Sequence, residues 1–321
     1  MHIYGVDLVK SGDDWIVLED NLRIPSGITY QMKPRGLFAE AFPELAEDYD
    51  VEPYDIRDTY HELFRSISGL DNPVTVLLTD GKYGAAFFEH RYLSEMLGIP
   101  IVEGSDLHRA PDGHIRVQTL DGDIPVDVIY LRVEDLDMFT PGLMQSYLDG
   151  KVILINAMGT GAADDKLVYT FVPDIIRHYL GEEPILKQAP SYNLLDPEQR
   201  LHVLGNLDKL VLKTRAGYGG LGVFVMPDLG DVYRASAARR IMEDPEAFIA
   251  QETLDFSKHM ILDAETQTLE ERFIDLRVFS MQDGNGKVTV PPGGLTRVSS
   301  PKSRITNNSS GGLCKPTWVL R

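Results

Sequence analysis

The stretch GVDLVKSGDDWIVLEDN, residues 5–21, decides the fold. Two runs of β-forming residues flank Ser11-Gly12-Asp13-Asp14, a turn signal, so the segment reads as a hairpin. With the turn centred near Asp13, Asp7 falls opposite Glu19, and Asn21, two residues further on, shares their face. Like charges directly opposite one another destabilise a sheet. A hard dication such as Mg2+, bound by carboxylate oxygens and a ligand's phosphates, is one compensation; acids that merely face water are the other reading.

Working outward, KLVLKTRAGYGGLGVFVM, residues 209–226, reads as a strand, a glycine loop and a strand. Lys213 ends the first strand, and Gly217, Gly219, Gly220 and Gly222 follow it. Glycines let backbone amides approach phosphate oxygens, and the ammonium neutralises them. The loop has neither the Walker A nor the Rossmann pattern. A tight structural hairpin is the alternative. A polar helix near 231–243 and the strand AFIAQETL complete what resembles an antiparallel nucleotide lid.

Between these segments, Gly159 and Gly161 in GTGAADDK precede DDKLVYTFVPDIIRHYL, which reads as one helix over 164–180 with Asp164 or Asp165 as cap. Lys166 in its first turn opposes the helix dipole, so a second phosphate contact is one justification and plain exposure the other. Downstream, alternation in FIDLRVF puts Asp275 and Arg277 on one strand face, with Arg297 and the amide-rich ITNNSSGG to follow. An arginine fork suits phosphoryl or carboxylate oxygens, although an Asp/Arg pair also serves as a plain salt bridge.

From Val74 to Val102 the order is strand, turn, helix ending near Gly98, strand, a βαβ unit that builds a parallel sheet; VDVIYLR (126–132) and KVILINA (151–157) extend it. The acidic stretch from Glu40 to Asp58 reads as a surface connection. The expected division is a hairpin of the nucleotide-binding core over 1–35, a βαβ lobe over 36–150, and nucleotide-binding lobes over 151–321 with the lid at about 210–255.

The chain has 321 residues, 43% of them hydrophobic, and a net charge of −18. That charge argues against nucleic acid as a partner, and no Lys/Arg-rich run suggests an anionic membrane. Cys314 is the single cysteine, so an internal disulfide is excluded. The eight histidines lack zinc spacing. No window approaches the roughly 18–20 apolar residues of a membrane span, and no signal peptide is evident, so a cytoplasmic location is expected.

The segments GVDLV and VLEDNLRIPSG, NAMGTGAADDK, KTRAGYGGLGV, FIAQETL, DLRVF, GGLTRV, and NNSSGG with KPTWVL resemble, in this order, the circularly permuted ATP-grasp family, relatives of the glutathionylspermidine synthase fold. The resemblance implies an α/β fold with an α+β lid and a Rossmann-like middle lobe, and ATP and Mg2+ as cofactors. It places Asp7, Glu19 and Asn21 on magnesium. Lys166 and Lys213 fall on phosphates, with Gly217, Gly219, Gly220 and Asn307 beside the nucleotide, and Gln251 and Glu252 at the adenine hinge. Arg277 and Arg297 become catalytic candidates facing phosphate or acyl-phosphate oxygens. The implied activity is ADP-forming ligation of a carboxylate, from an amino acid or peptide, to an amine. A nucleotide-binding scaffold without turnover and a small-molecule phosphotransferase of the same fold are the rival readings. Family members usually carry a further segment ahead of the hairpin. Pro316 stands where an Asp is common before Thr-Trp, and Thr214 where Pro often follows the lid lysine.

Overall fold

The hairpin forms as its turn signal predicts, in a computed structural model that describes residues 1–52, 54–134, 140–217, 222–263, 266–306 and 311–321. Strands Ile3–Ser11 and Asp14–Asn21 pair antiparallel, with Gly12 supplying the positive φ of the turn. Asp7 lies opposite Glu19 and Gly5 opposite Asn21, but between Asp7 and Leu8 the register slips, so that Leu8 meets Val17. Leu18 is the extra residue of this bulge. A bulge leaves one residue outside the ladder and re-aims it, and the Leu18 carbonyl instead accepts from two lid side chains.

The hairpin sits in the middle of an eight-stranded sheet built from both ends of the chain. Its first strand pairs antiparallel with the long strand Leu269–Gln282, which pairs in turn with Leu295–Val298. On the other side the short strand Lys187–Gln188 runs parallel to Asp14–Asn21. Asp275 and Arg277, alternate residues of the long strand, therefore share a face, with Asp7 opposite Arg277 and Arg297 opposite Asp275.

The βαβ unit and its extensions form a four-stranded parallel sheet in the spatial order Ile101–Val102, Thr75–Leu78, Val128–Leu131, Ile153–Ile155. Both faces are covered, which is why VTVLLT reads as continuous apolar sequence. Leu77 points into a core with Tyr60, Phe64, Leu93 and Phe279; Val76 and Leu78 point into another with Leu107, Ile115 and Leu143. The second core lies under a small antiparallel meander, Leu107–Arg109, Ile115–Thr119 and Gly122–Pro125.

A fourth sheet holds the segment expected to be the lid: strands Ser191–Asn193, Phe248–Glu252, Leu210–Thr214 and Val223–Val225, all antiparallel, backed by helices Pro197–Gly205 and Asp231–Glu243. One expectation is corrected. Residues 164–180 do not form one helix but two, Lys166–Tyr169 and Val172–Leu180. Pro173 lacks an amide hydrogen and its ring would meet the carbonyl four residues back, so it is tolerated only in a helix's first turn, where it stands. Among the described residues, no helix is long and apolar enough to cross a membrane.

Candidate active site

The eight-stranded sheet, the parallel sheet and the antiparallel sheet of Leu210–Thr214 border a cavity of about 670 Å³, a size typical of small-molecule sites. Every predicted site residue among the described ones lines it: Asp7, Glu19, Asn21, Lys166, Lys213, Gly217, Gln251, Glu252, Arg277 and Arg297. Gly219, Gly220 and Asn307 lie outside the described residues.

Asp7 is 3% exposed and bound on both oxygens. Arg277 donates to it in a fork, Nε to Oδ1 at 2.5 Å and Nη2 to Oδ2 at 2.7 Å, and Arg297 Nη2 adds a bond to Oδ2 at 2.8 Å. Arg297 in turn forks onto Asp275 at 2.8 and 2.6 Å, and the Thr306 hydroxyl donates to the same carboxylate at 2.5 Å. Burial alone would push the Asp7 carboxyl up; the charges and hydrogen bonds of Arg277 and Arg297 overcome it and hold the group well below the carboxylate range. Burial works against the Arg297 cation, and Asp7 and Asp275 outweigh it, raising its pKa.

This arrangement corrects the reason for expecting a dication between Asp7 and Glu19. The two carboxylates do face one another, but the chain's own cations compensate both. Lys166 Nζ stands 2.8 Å from Glu19 Oε1 and donates to the Gly217 carbonyl at 2.5 Å. Among the described residues, no group of three or more His, Cys, Asp or Glu side chains is placed to hold a metal alone. A metal fits only with oxygens from a ligand. Glu19 and Asn21 offer hard oxygen donors on the cavity wall, and Asn21 spends its amide nitrogen on the Gly5 carbonyl at 3.3 Å, leaving its oxygen for the cavity.

Lys213 is 8% exposed, and among the described residues its ammonium has only the bulged Leu18 carbonyl at 3.3 Å. Burial pushes its pKa down to about 8; Glu19 counters this in part, while Lys166 adds to it. Gln251, beside it on the lid, reaches the same carbonyl at 3.5 Å, and Glu252 accepts from the Tyr192 hydroxyl at 2.5 Å. Lys166, Lys213, Arg277 and Arg297 thus line the cavity beside Asp7, Glu19 and Asp275; Lys166, Arg277 and Arg297 are ion-paired, whereas Lys213 has no carboxylate partner among the described residues and is placed to meet a ligand's charge. Anions belong there.

Several positioning residues join the site, of which the sequence reading had named Asp164 and Asp165, as alternative caps, and missed the rest. Asp165 caps the short helix by accepting from the Leu167 amide at 2.8 Å, and it also clamps Arg215 at the end of the lid strand. Asp164 takes the Leu22 amide at 2.5 Å, and burial raises its pKa. Asn156 ties the parallel sheet to the hairpin, accepting from Ile3 N at 2.8 Å and donating to Ile3 O at 2.6 Å. Arg132 and Glu89, a buried ion pair at 2.6 Å, hold the Pro25–Gly27 loop: Arg132 donates to Pro25 O and Glu89 accepts from Gly27 N. Arg277 meets that loop at Ser26 O, 2.8 Å away. Only the caps had a local sequence signal; the rest join residues more than 40 positions apart.

Comparison with known proteins agrees with this architecture. The chain belongs to the circularly permuted ATP-grasp type 2 family, whose model matches residues 1–299. It is 40% identical over its whole length to an uncharacterised protein of Synechocystis, covering 69% of that protein. It is also 40% identical to a Frankia casuarinae protein provisionally named glutamate–cysteine ligase 2-2, covering 99% of this chain and 38% of that one. The chain spans 59–69% of the length of the first five curated relatives it matches. Among solved structures, a glutathione synthetase-like effector of Globodera pallida in its apo form shares the fold. Its TM-score is 0.67 at 14% identity, with 98% of this chain and 74% of that one covered.

Proposed function

We propose that this chain supplies the nucleotide and acyl-transfer core of an ATP- and Mg2+-dependent, ADP-forming carboxylate–amine ligase. The convergence of Lys166, Lys213, Arg277 and Arg297 on one cavity carries the reading, because Lys213 is a buried cation without a carboxylate partner among the described residues and Lys166 stands near it, where a ligand's phosphates would neutralise both. The family membership and the name of the Frankia relative support the same class.

In this reading a substrate carboxylate attacks the γ-phosphorus of ATP. The bond to the bridging oxygen breaks, giving an acyl phosphate and ADP; an amine then attacks the acyl carbon and inorganic phosphate leaves. Little covalent work falls to the protein, so positioning and charge neutralisation dominate. Lys213 and Lys166 hold phosphate oxygens. Lys166 exchanges its bonds to Glu19 and the Gly217 carbonyl for them, which couples nucleotide arrival to the glycine loop. Arg277 and Arg297, fixed by Asp7 and Asp275, face the transferred group, and their rigidity keeps reorganisation small. Gln251 and Glu252 present the lid edge to the base. Glu19 and Asn21 hold Mg2+, which when bound neutralises phosphate charge. The amino-acid or peptide carboxylate and its amine partner enter from the parallel-sheet side.

The test is ADP release with pooled amino-acid and peptide carboxylates, with and without pooled amines. The ligase reading requires ADP release that depends on both pools at steady state. ADP release indifferent to amines selects the phosphotransferase, and nucleotide binding without any release selects the scaffold.

A further inference from the structure

The cavity has a second end that the nucleotide does not need. In the parallel sheet the chain leaves Thr75–Leu78 towards Ile101–Val102 on one side and Val128–Leu131 towards Ile153–Ile155 on the other. The loops beyond the two central strands therefore diverge and leave a crevice at their carboxyl ends, the place where open α/β sheets take ligands. Those loops line the cavity through Asp80 and through Arg132 and Glu134, with His90 from the following helix, Phe87–Leu97.

The charge of this end is opposite to that of the other. Arg132 is spent on Glu89, both about 1% exposed, and contributes no free cation. His90 lies beside Asp80, Nδ1 to Oδ1 at 3.9 Å, but burial and then Arg132 push its pKa down to about 3, so it is neutral. Asp80 therefore faces the cavity without a cationic partner among the described residues. Among the described residues Glu134 meets only Arg23, at the exposed rim, 3.4 Å away. His90 is 2% exposed and shares Nδ1 with the Thr79 hydroxyl at 2.8 Å, and among the described residues Nε2 has no hydrogen-bond partner. Arg132 Nε is buried and has no partner among the described residues. A bound ligand satisfies such groups; the Arg132 Nε–H needs an acceptor atom of that ligand, whereas an ammonium serves Asp80 and the His90 tautomer in which Nε2 accepts.

We propose that this crevice is the subsite for the amine substrate, with the ammonium of a primary amine held by Asp80 and Glu134 and ordered against His90 Nε2. The proposal rests on the ligase reading and extends it. A cavity with candidate phosphate-binding cations at one end and, at the other, Asp80 without a cationic partner among the described residues and Glu134 paired only with Arg23 at the rim suits a nucleotide and an amine that meet over an acyl group between them. Gly84 builds the subsite too: a Cβ there would fall 2.1 Å from Asp80 Oδ1, so the carboxylate rests where only glycine leaves room.

The experiment uses the whole chain with saturating Mg-ADP and follows 1,4-diaminobutane and, as the opposite charge, succinate by saturation-transfer NMR. Wild type, Asp80→Asn, Glu134→Gln and Gly84→Ala are compared, and the Mg-ATP melting shift of each reports the nucleotide end and folding. The subsite predicts diamine binding to wild type, weakened about tenfold or more by Asp80→Asn and measurably by the other two substitutions, with the Mg-ATP shift unchanged in all. Absence of diamine binding to wild type overturns it. So does binding equal in all four proteins, or succinate as the ligand that responds to Asp80→Asn. Loss of the Mg-ATP shift in wild type would instead overturn the nucleotide reading, which separates the two failures.

Discussion

Replacing Lys213 by Met should make the protein more stable and worse at binding nucleotide. Lys213 carries a buried charge whose pKa is pushed from the usual 10.5 down to about 8. Below pH 8 both folded and unfolded chains hold the proton, and the folded state bears the full cost of the buried cation. Between pH 8 and 10.5 the unfolded chain binds more protons than the folded one, so stability rises with pH across that window. The contribution is fully present above the unfolded value and lost as pH falls through the folded one. At about 1.4 kcal/mol per unit, the difference amounts to roughly 3 kcal/mol. Lys213→Met removes this dependence and should raise stability at pH 7 by up to about that amount, while Mg-ATP affinity falls about ten- to a hundredfold. Urea titrations of both proteins from pH 7 to 10.5, with calorimetric Mg-ATP titrations at pH 7, supply the numbers. A wild-type-minus-variant stability difference that stays flat with pH, or unchanged nucleotide affinity, would refute the reasoning.

Three further outcomes follow from the same geometry. Arg297→Met strips Asp275 of both guanidinium bonds and leaves Asp7 with one partner, so urea denaturation should show a loss of about 3–5 kcal/mol, the usual result of breaking a buried ion pair from one side. Glu19→Gln should abolish the part of the Mg-ATP melting shift that depends on Mg2+; because Lys166 loses its 2.8 Å partner, apo stability should fall, which a melt without ligand reads directly. Asp20 is held high chiefly by burial, against a bond from Tyr4, and its Oδ2 is buried without a partner among the described residues. A raised folded pKa means stability that is lost as pH rises through it, so Asp20→Asn should stabilise the chain at pH 7, with the gain shrinking as a pH series of melts approaches the acid range.

Period-two alternation made the site's strands legible. It put Asp7 across from Glu19 and Asp275 beside Arg277 before any coordinates, because a strand fixes the face of each side chain from its neighbours alone. The same rule could not show the bulge at Leu18, since a one-residue slip leaves the apolar pattern on either side readable. Nor could it show what balances each charge. Asp7 and Arg277 are 270 residues apart in sequence, and only sheet order brings them together. A carboxylate pair met in sequence invites a compensating cation; in the folded chain Arg277 and Arg297 stand against Asp7, and Lys166 against Glu19. The parallel sheet was recognisable from VTVLLT, but the crevice at the carboxyl ends of its central strands depends on strand order, which the hydrophobic pattern does not encode. The break in the helix at Pro173 was legible: a proline ten residues into an apolar-periodic run marks a boundary, and the periodicity on both sides masked it.

The most direct measurement of the central claim replaces the amine with hydroxylamine, which intercepts an acyl phosphate as a stable hydroxamate. The chain is incubated with Mg-ATP, pooled amino acids and peptides, and hydroxylamine, and hydroxamate and ADP are quantified by mass spectrometry. The account predicts hydroxamate and ADP in equal amounts from wild type and neither from Lys213→Met. ADP formed without hydroxamate, or hydroxamate formed equally by Lys213→Met, would contradict it.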